Sequence, residues 1–124
     1  MTVLVIEDEP DMMALLEATL APAGFDVHIE RSGDAIEELL ERHDPQVVVV
    51  DVLLFGSRAD GIEVVRRIRA TPGHERTLVV VLTALADAAN ERRALAAGAD
   101  IYMSKPFSPL ELLDRLRSAE FLTD

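Results

Sequence analysis

The chain has 124 residues, of which 49% are hydrophobic, and its formal net charge at pH 7 is -11. The absence of cysteine excludes disulfides and thiolate metal sites, and the acidity argues against direct nucleic-acid binding, which usually needs a basic face. No apolar run reaches membrane-spanning length, and the first residues lack the basic start of a signal peptide. We therefore expect a soluble, cytoplasmic protein with one domain over residues 1–124 and no output domain in this chain.

Short apolar runs alternate with helical patterns from the start of the chain. Residues 2–6 predict a buried strand, and Pro10 suits the first turn of a helix that extends to about Ala23. Gly24 is expected to cap that helix at its C-terminus. Residues 25–29 are more polar and predict a strand at an edge of the sheet.

The same alternation continues to the end of the sequence. Ser32 is placed to cap a helix, and the four valines before Asp51 predict a strand buried on both faces. Residues 78–82 predict another buried strand and residues 101–103 a short fifth one, with helices near residues 62–70 and 87–97. Ser108, Pro109 and Glu111 form a capping-box pattern, and Leu110, Leu113 and Leu116 are expected to continue the last helix.

Five strand–helix units predict an α/β fold with a doubly wound parallel sheet and helices on both faces. The flavodoxin-like strand order 2-1-3-4-5 fits best, because the first, third and fourth strands are the most apolar and should be central. In that order the first and third strands flank the point at which ligands bind open sheets of this kind.

Polar residues follow four of the predicted strands and should meet at one edge of the sheet. They are Glu7 and Asp8, Asp51, Thr83 and Lys105. Each alone has an ordinary explanation, since acids favour helix N-termini and threonine can cap a helix. Together, three carboxylates around one lysine repel one another, at a cost of about 4 kcal/mol per pair at 4 Å and a dielectric constant near 20. A hard divalent cation with oxygen ligands, most plausibly Mg²⁺, resolves this imbalance.

The sequence resembles a response-regulator receiver domain of two-component signalling over its entire length. The resemblance rests on Val5-Ile6-Glu7-Asp8-Glu9, Val49-Val50-Asp51, Leu82-Thr83-Ala84 and the segment from Gly98 to Phe107. It implies that Asp51 accepts a phosphoryl group from a phosphohistidine on a sensor histidine kinase or phosphotransfer protein. It also implies a signalling switch that assists its own phosphorylation and dephosphorylation, rather than an enzyme.

The resemblance also assigns the remaining residues of the site. Asp8 and Asp51 are expected to bind Mg²⁺ directly, Glu7 through water, and Leu53 through its backbone carbonyl. Lys105, the Thr83 hydroxyl and the Ala84 backbone N–H are expected to hold the phosphoryl oxygens.

The resemblance also implies which parts of the domain change on phosphorylation. Thr83 and Tyr102 are expected to move on phosphorylation and to change the surface of the fourth helix, fifth strand and fifth helix. That surface would meet an output domain or protein, or a second copy in an activated homodimer.

This sequence also departs from the family pattern after Asp51. Where family members commonly have a proline, this chain has Phe55, and the loop after Asp51 is longer than usual, which leaves the position of the Leu53 carbonyl open. Leu53 and Leu85, which flank the site in the family, are apolar and cannot orient an attacking water.

Three alternative functions compete with this interpretation. Hydrolases that form an aspartyl phosphate use a second aspartate two positions after the nucleophile, where this chain has Leu53. A flavodoxin would need a phosphate-binding loop after the first strand, where Glu7, Asp8 and Glu9 would repel phosphate. A receiver-like interaction module that works without phosphorylation remains the main alternative to the switch.

Overall fold

The computed structural model describes residues 1–52, 60–84 and 87–123, with only the backbone considered for residues 120–123. Strands and helices alternate along the chain. They are β1 (Thr2–Ile6), α1 (Pro10–Leu20), β2 (Asp26–Glu30), α2 (Ile36–His43), β3 (Val47–Asp51), α3 (Gly61–Ala70), β4 (Leu78–Thr83), α4 (Ala88–Ala97), β5 (Ile101–Ser104) and α5 (Pro109–Thr123). Among these helices, none is both long enough and apolar enough to cross a membrane.

The five strands form one parallel sheet in the order β2-β1-β3-β4-β5, which confirms the predicted topology. The polar strand β2 lies at an edge, as its composition indicates. The valine strand β3 is central and buried along its whole length. Because its side chains alternate between the two faces of the sheet, one strand contributes to two cores.

Each face of the sheet has its own core. Val48 and Val50 pack with Ile36 from α2 and with Ile62 and Ile68 from α3. The opposite face buries Val47 and Val49 against residues of α1 and α5, namely Leu16, Leu20, Leu112 and Leu116. Helices cover both faces of the sheet, and the polar residues of the predicted site lie at the carboxyl ends of the strands.

Two local predictions about the helices need correction. Helix α1 ends at Leu20 rather than near Ala23, and residues 21–24 form turns in which Gly24 takes a φ of +100°. Ser32 does not cap α2, because its hydroxyl accepts the Asp34 N–H before the helix begins at Ile36.

The predicted course of α5 is confirmed, since Leu110, Leu113 and Leu116 all lie on this helix. Leu110 is 79% exposed, whereas the neighbouring Leu112 is buried. Leu116 is buried, as the helical pattern predicts. The predicted N-cap of this helix is present, because the Ser108 hydroxyl accepts the Glu111 N–H at 3.3 Å.

Candidate functional site

Three carboxylates meet at the carboxyl end of the central strands. Asp51 is the last residue of β3, and Glu7 and Asp8 directly follow β1. The pairing of Ile6 with Val50 places the next residue of each strand side by side. One carboxylate oxygen from each of the three residues lies within 4.8 Å of the other two. The structure therefore brings together the acids that the sequence predicts to meet.

A single lysine lies among these acids. Lys105 follows β5, and its backbone N–H donates to the Thr83 carbonyl at 2.8 Å, which holds the segment against the end of β4. Its ammonium Nζ donates to Asp51 Oδ2 at 2.8 Å and to Glu7 Oε2 at 2.9 Å. The side chain of Lys105 is only 9% exposed, so these ion pairs are shielded from water.

A fourth acid, Glu9, lies beside the cluster, although its sequence position does not predict a contact with the lysine. Its Oε2 lies 4.0 Å from the Lys105 ammonium, and its backbone N–H donates to Glu7 Oε1 at 3.1 Å. Glu9 also occupies the N-cap position of α1, although its side chain makes no capping hydrogen bond there. An acid before a helix usually indicates only a helix start, which is why its sequence position carried no stronger signal.

Burial perturbs the ionisation of this cluster. Glu7 is 1% exposed, and this burial, with a smaller contribution from the Asp51 charge, raises the pKa of Glu7 above its ordinary value. Hydrogen bonds from Lys105 and the Glu9 N–H act in the opposite direction but do not cancel the rise. Burial alone would lower the pKa of Lys105, yet its hydrogen bonds to Asp51 and Glu7 raise the pKa above its ordinary value. The lysine is therefore held charged, whereas burial opposes the negative charge on Glu7.

Thr83 and Ala84 lie at the same edge of the sheet. Thr83 is the last residue of β4 and is fully buried, and Ala84 follows it in an exposed bend. Since Asp51 pairs with Leu82, Thr83 lies one position further along the neighbouring strand. Leu53, Phe55 and Leu85 lie outside the described residues, so the predicted carbonyl ligand and the flanking apolar side chains stay predictions.

Tyr102 lies on β5, away from the acids. Its half-buried side chain packs against the core that includes α3 and Ala94 of α4. Burial, together with the charges of Asp87 and Glu91, raises the pKa of its phenol. Arg115 of α5 donates to the Tyr102 carbonyl at 3.4 Å. This residue therefore contacts both neighbouring helices of the predicted output surface.

The donor set of the acidic cluster suits a hard divalent cation. Glu7, Asp8 and Asp51 offer only carboxylate oxygens, which are the ligands that Mg²⁺ prefers. The Lys105 ammonium pairs with Glu7 and Asp51, so two of the three carboxylates share one positive charge. A divalent cation would balance that excess of negative charge, and the residues fit Mg²⁺ on chemical grounds.

The fold and the site together define a flavodoxin-like α/β domain with an acidic, lysine-containing site at the switch point of its sheet. Residues 3–117 match the response regulator receiver domain family, and the chain belongs to that family.

A curated relative and two solved structures illustrate the similarity. The phosphate regulon transcriptional regulatory protein PhoB of Rhizobium meliloti (strain 1021) is 38% identical over 116 residues, which cover 94% of this chain and 50% of that protein. The BeF3-activated receiver domain of RstA from Klebsiella pneumoniae has 32% identity and a TM-score of 0.87, with 96% of this chain and 97% of that chain covered.

The second solved structure is described with a bound metal. The receiver domain of sensor histidine kinase PA1611 from Pseudomonas aeruginosa PAO1 has a magnesium ion coordinated in its active site cleft. It has 30% identity and a TM-score of 0.84, with 94% of each chain covered. Whereas the chain matches solved receiver domains almost end to end, it spans about half the length of the curated relatives it matches.

Proposed function

We propose that this domain is a phosphorylation-activated signalling switch in which Asp51 is the phosphoacceptor. The observation that carries the proposal is the placement of Asp51 at the end of β3, 2.8 Å from the Lys105 ammonium and within one cluster with Glu7 and Asp8. Phosphoryl transfer needs alignment and charge neutralisation more than a strong nucleophile, and a buried carboxylate held by a lysine offers both.

The transfer replaces the P–N bond of the phosphohistidine with a P–O bond to Asp51. An Asp51 carboxylate oxygen attacks the phosphorus of a phosphohistidine, the P–N bond breaks, and the freed imidazole takes up a proton as the acyl phosphate forms. Bound through Glu7, Asp8 and Asp51, Mg²⁺ would supply positive charge to the phosphoryl oxygens. Lys105 holds the Asp51 carboxylate before the reaction and can then pair with the transferred group. The Thr83 hydroxyl and the Ala84 N–H are the proposed contacts for its other oxygens.

The partners follow from the same proposal. The donor would be a sensor histidine kinase or a phosphotransfer protein, and the domain would assist its own phosphorylation and dephosphorylation. The receiver would signal through the surface of α4, β5 and α5 to an output domain or protein, or to a second copy on activation. Several curated relatives are transcriptional regulators about twice as long as this chain, which supports an output of that kind. We place the domain in the cytoplasm, where such kinases phosphorylate their partners.

Labelling with a small phosphodonor tests the function directly. Acetyl phosphate with Mg²⁺ should add one phosphoryl mass to the parent protein and none to Asp51→Asn. Asp114→Asn, on the exposed face of α5, is the matched control and should be labelled like the parent. Unchanged labelling of Asp51→Asn would remove this residue from its role. A parent that takes no phosphoryl group would favour the interaction module.

A further inference from the structure

We propose that Gly61 is a positioning residue for Asp51. Gly61 is the first residue of α3, and its lack of a side chain allows this helix to begin directly against the main chain of Asp51. This inference rests on the proposed function, because it assigns to Gly61, which has no side chain, a role in holding the phosphoacceptor.

The distances around Gly61 leave no room for a side chain. A Cβ atom on this residue would lie 2.1 Å from the Asp51 carbonyl oxygen and 2.6 Å from the Cα of Val52. Both atoms belong to the main chain, so neither can avoid the overlap by rotation of a side chain. Gly61 does not have a left-handed backbone, so the requirement for glycine here is one of space alone.

A hydrogen bond fixes the same contact from the other side. The Gly61 N–H donates to the Val52 carbonyl at 3.0 Å, so the residue after β3 is bonded to the first residue of α3. Asp60 caps the helix, with its Oδ1 accepting the Glu63 N–H at 2.8 Å. The end of the strand and the start of the helix are thus joined directly, independently of the longer connection between them.

This joint bears on the reacting group because aspartate has a short side chain. Asp51 reaches Lys105 at 2.8 Å and shares the acidic cluster with Glu7 and Asp8. Any shift of the Asp51 main chain therefore moves its carboxylate by a similar amount. A displacement of about 1 Å at a reacting centre can lower a rate by about 100-fold. Gly61 would thereby position Asp51 both as the nucleophile and as a metal ligand.

Gly33, which precedes α2 and packs against α3, provides a control variant. A Cβ atom there would lie 2.4 Å from Cγ2 of Val64, a side chain of α3, and Gly33 also lacks a left-handed backbone. Gly33→Ala therefore strains the packing of α3 through the Val64 side chain, but it does not contact the main chain of Asp51. Comparison of the two variants separates a loss of packing from a loss of position.

The experiment compares Gly61→Ala, Gly33→Ala and the parent chain at a temperature where all three are folded. Mg²⁺ affinity is measured by NMR titration with the metal alone, and the phosphorylation rate is measured with acetyl phosphate at saturating Mg²⁺. Gly61→Ala should bind Mg²⁺ at least about tenfold more weakly and be labelled at least about tenfold more slowly. Gly33→Ala should stay within about twofold of the parent in both measurements, even if it melts at a lower temperature.

Two outcomes would overturn the inference while leaving the proposed function intact. Either Gly61→Ala matches the parent in affinity and rate, or Gly33→Ala loses as much as Gly61→Ala. Failure of labelling in the parent itself would instead refute the proposed function.

If Gly61→Ala does not fold, hydrogen exchange of the parent decides the question. Opening of the Gly61–Val52 hydrogen bond should release Asp51, so saturating Mg²⁺ should slow exchange of the Gly61 amide. An exchange rate that Mg²⁺ leaves unchanged would show that this joint opens independently of the site, which contradicts the inference.

Discussion

The ammonium nitrogen of Lys105 lies 2.9 Å from a carboxylate oxygen of Glu7, although 98 positions separate the two residues in the sequence. Lys105 follows the edge strand β5 and Glu7 follows β1, with β3 and β4 between these strands in the sheet. The long lysine side chain therefore extends along the carboxyl edge of the sheet and contacts Asp51 on the way. One cation thus connects the ends of strands that are not neighbours.

Glu7 should make the stability of the metal-free protein depend on pH. Its burial raises its pKa in the folded protein, so the folded state holds this proton more strongly than the unfolded chain does. Stability contributed by the protonated form is therefore lost as pH rises from the ordinary glutamate pKa through the folded one. Glu7→Gln keeps the shape without this titration, and in EDTA its melting temperature should exceed that of the parent at pH 7 but not at pH 4.

Glu38→Gln on α2 is the matched control for that measurement. Glu38 is exposed, and its substitution should leave the difference from the parent close to zero at both pH values. For a domain of this size, about 1 kcal/mol corresponds to roughly 3–6 °C in melting temperature. The difference in melting temperature between Glu7→Gln and the parent should therefore be measurable. A Glu7→Gln protein that melts below the parent at pH 7 would show that the Lys105 ion pair outweighs the cost of burial.

Removal of the lysine should have the opposite effect. In Lys105→Met, Glu7 and Asp51 remain buried without their cation, and breaking a buried pair in this way costs about 3–5 kcal/mol. In EDTA at pH 7 we expect the free energy of unfolding to fall by that amount. Part of the loss should be recovered as pH is lowered, because the carboxylates can then take up protons.

An exposed ion pair supplies the comparison for Lys105→Met. Arg66 pairs with Glu63 at 3.4 Å on the surface of α3, and Arg66→Met should cost no more than about 1 kcal/mol. Urea denaturation of both variants gives the required free energies. Equal costs for the two substitutions would mean that water screens the Lys105 site as well as it screens the surface.

The fold and the meeting of Glu7, Asp8, Asp51 and Lys105 could be predicted because they follow from strand order. The polar residues after four parallel strands meet at one edge, because the carboxyl ends of these strands all lie on the same side of the sheet. What the sequence did not reveal depends on packing across elements. In the sequence, Gly61 indicates only the start of a helix, yet in the structure it lies against the Asp51 main chain.

Two further residues show the same limit of sequence analysis. Arg69 resembles any charged residue on a helix, yet its guanidinium donates to the Gly98 and Thr77 carbonyls and to Asp100. Leu110 fits the apolar spacing of α5, yet it is exposed because the helix turns Leu112 inward instead. Such contacts depend on the relative rotation and distance of helices, which local sequence patterns do not specify.

Mg²⁺ should stabilise the native fold, and Asp8 should be needed for this effect. Lys105 pairs with Glu7 and Asp51, and no ion pair to Asp8 is found within the part of the chain that the structure describes. Asp8→Asn should therefore raise the metal-free melting temperature by relieving repulsion within the cluster. At Mg²⁺ concentrations about tenfold above the dissociation constant, the parent should gain roughly 1.4 kcal/mol, or about 3–8 °C.

The Asp8→Asn protein should lose most of that gain. Thermal melting of both proteins in EDTA and then in Mg²⁺ measures both effects in one series. Asp11→Asn, on the exposed first turn of α1, is the control and should respond to Mg²⁺ like the parent. If Asp8→Asn melts below the parent in EDTA and still gains the full Mg²⁺ shift, Asp8 is a helix-start residue and not part of a metal site.

Tyr102 offers an optical test of the switch, because it is the only tyrosine and the chain has no tryptophan. Burial and the charges of Asp87 and Glu91 raise the pKa of its phenol, so alkaline absorbance titration should show ionisation above pH 10. Asp87→Asn should lower this pKa while preserving the helix cap, since asparagine also caps well. Glu41→Gln on α2 is the control and should leave the phenol pKa unchanged.

Phosphorylation should then change the environment of the same ring. If Tyr102 moves as the proposed function requires, acetyl phosphate with Mg²⁺ should alter its fluorescence in the parent at neutral pH. Asp51→Asn should show no change, because it lacks the phosphoacceptor, and Lys105→Met should show a smaller change for the same degree of labelling. Coupling between two sites requires an element with two arrangements, and this ring would report on such an element if β5 belongs to it. Full phosphorylation by mass without any change in tyrosine emission would exclude Tyr102 from the switch.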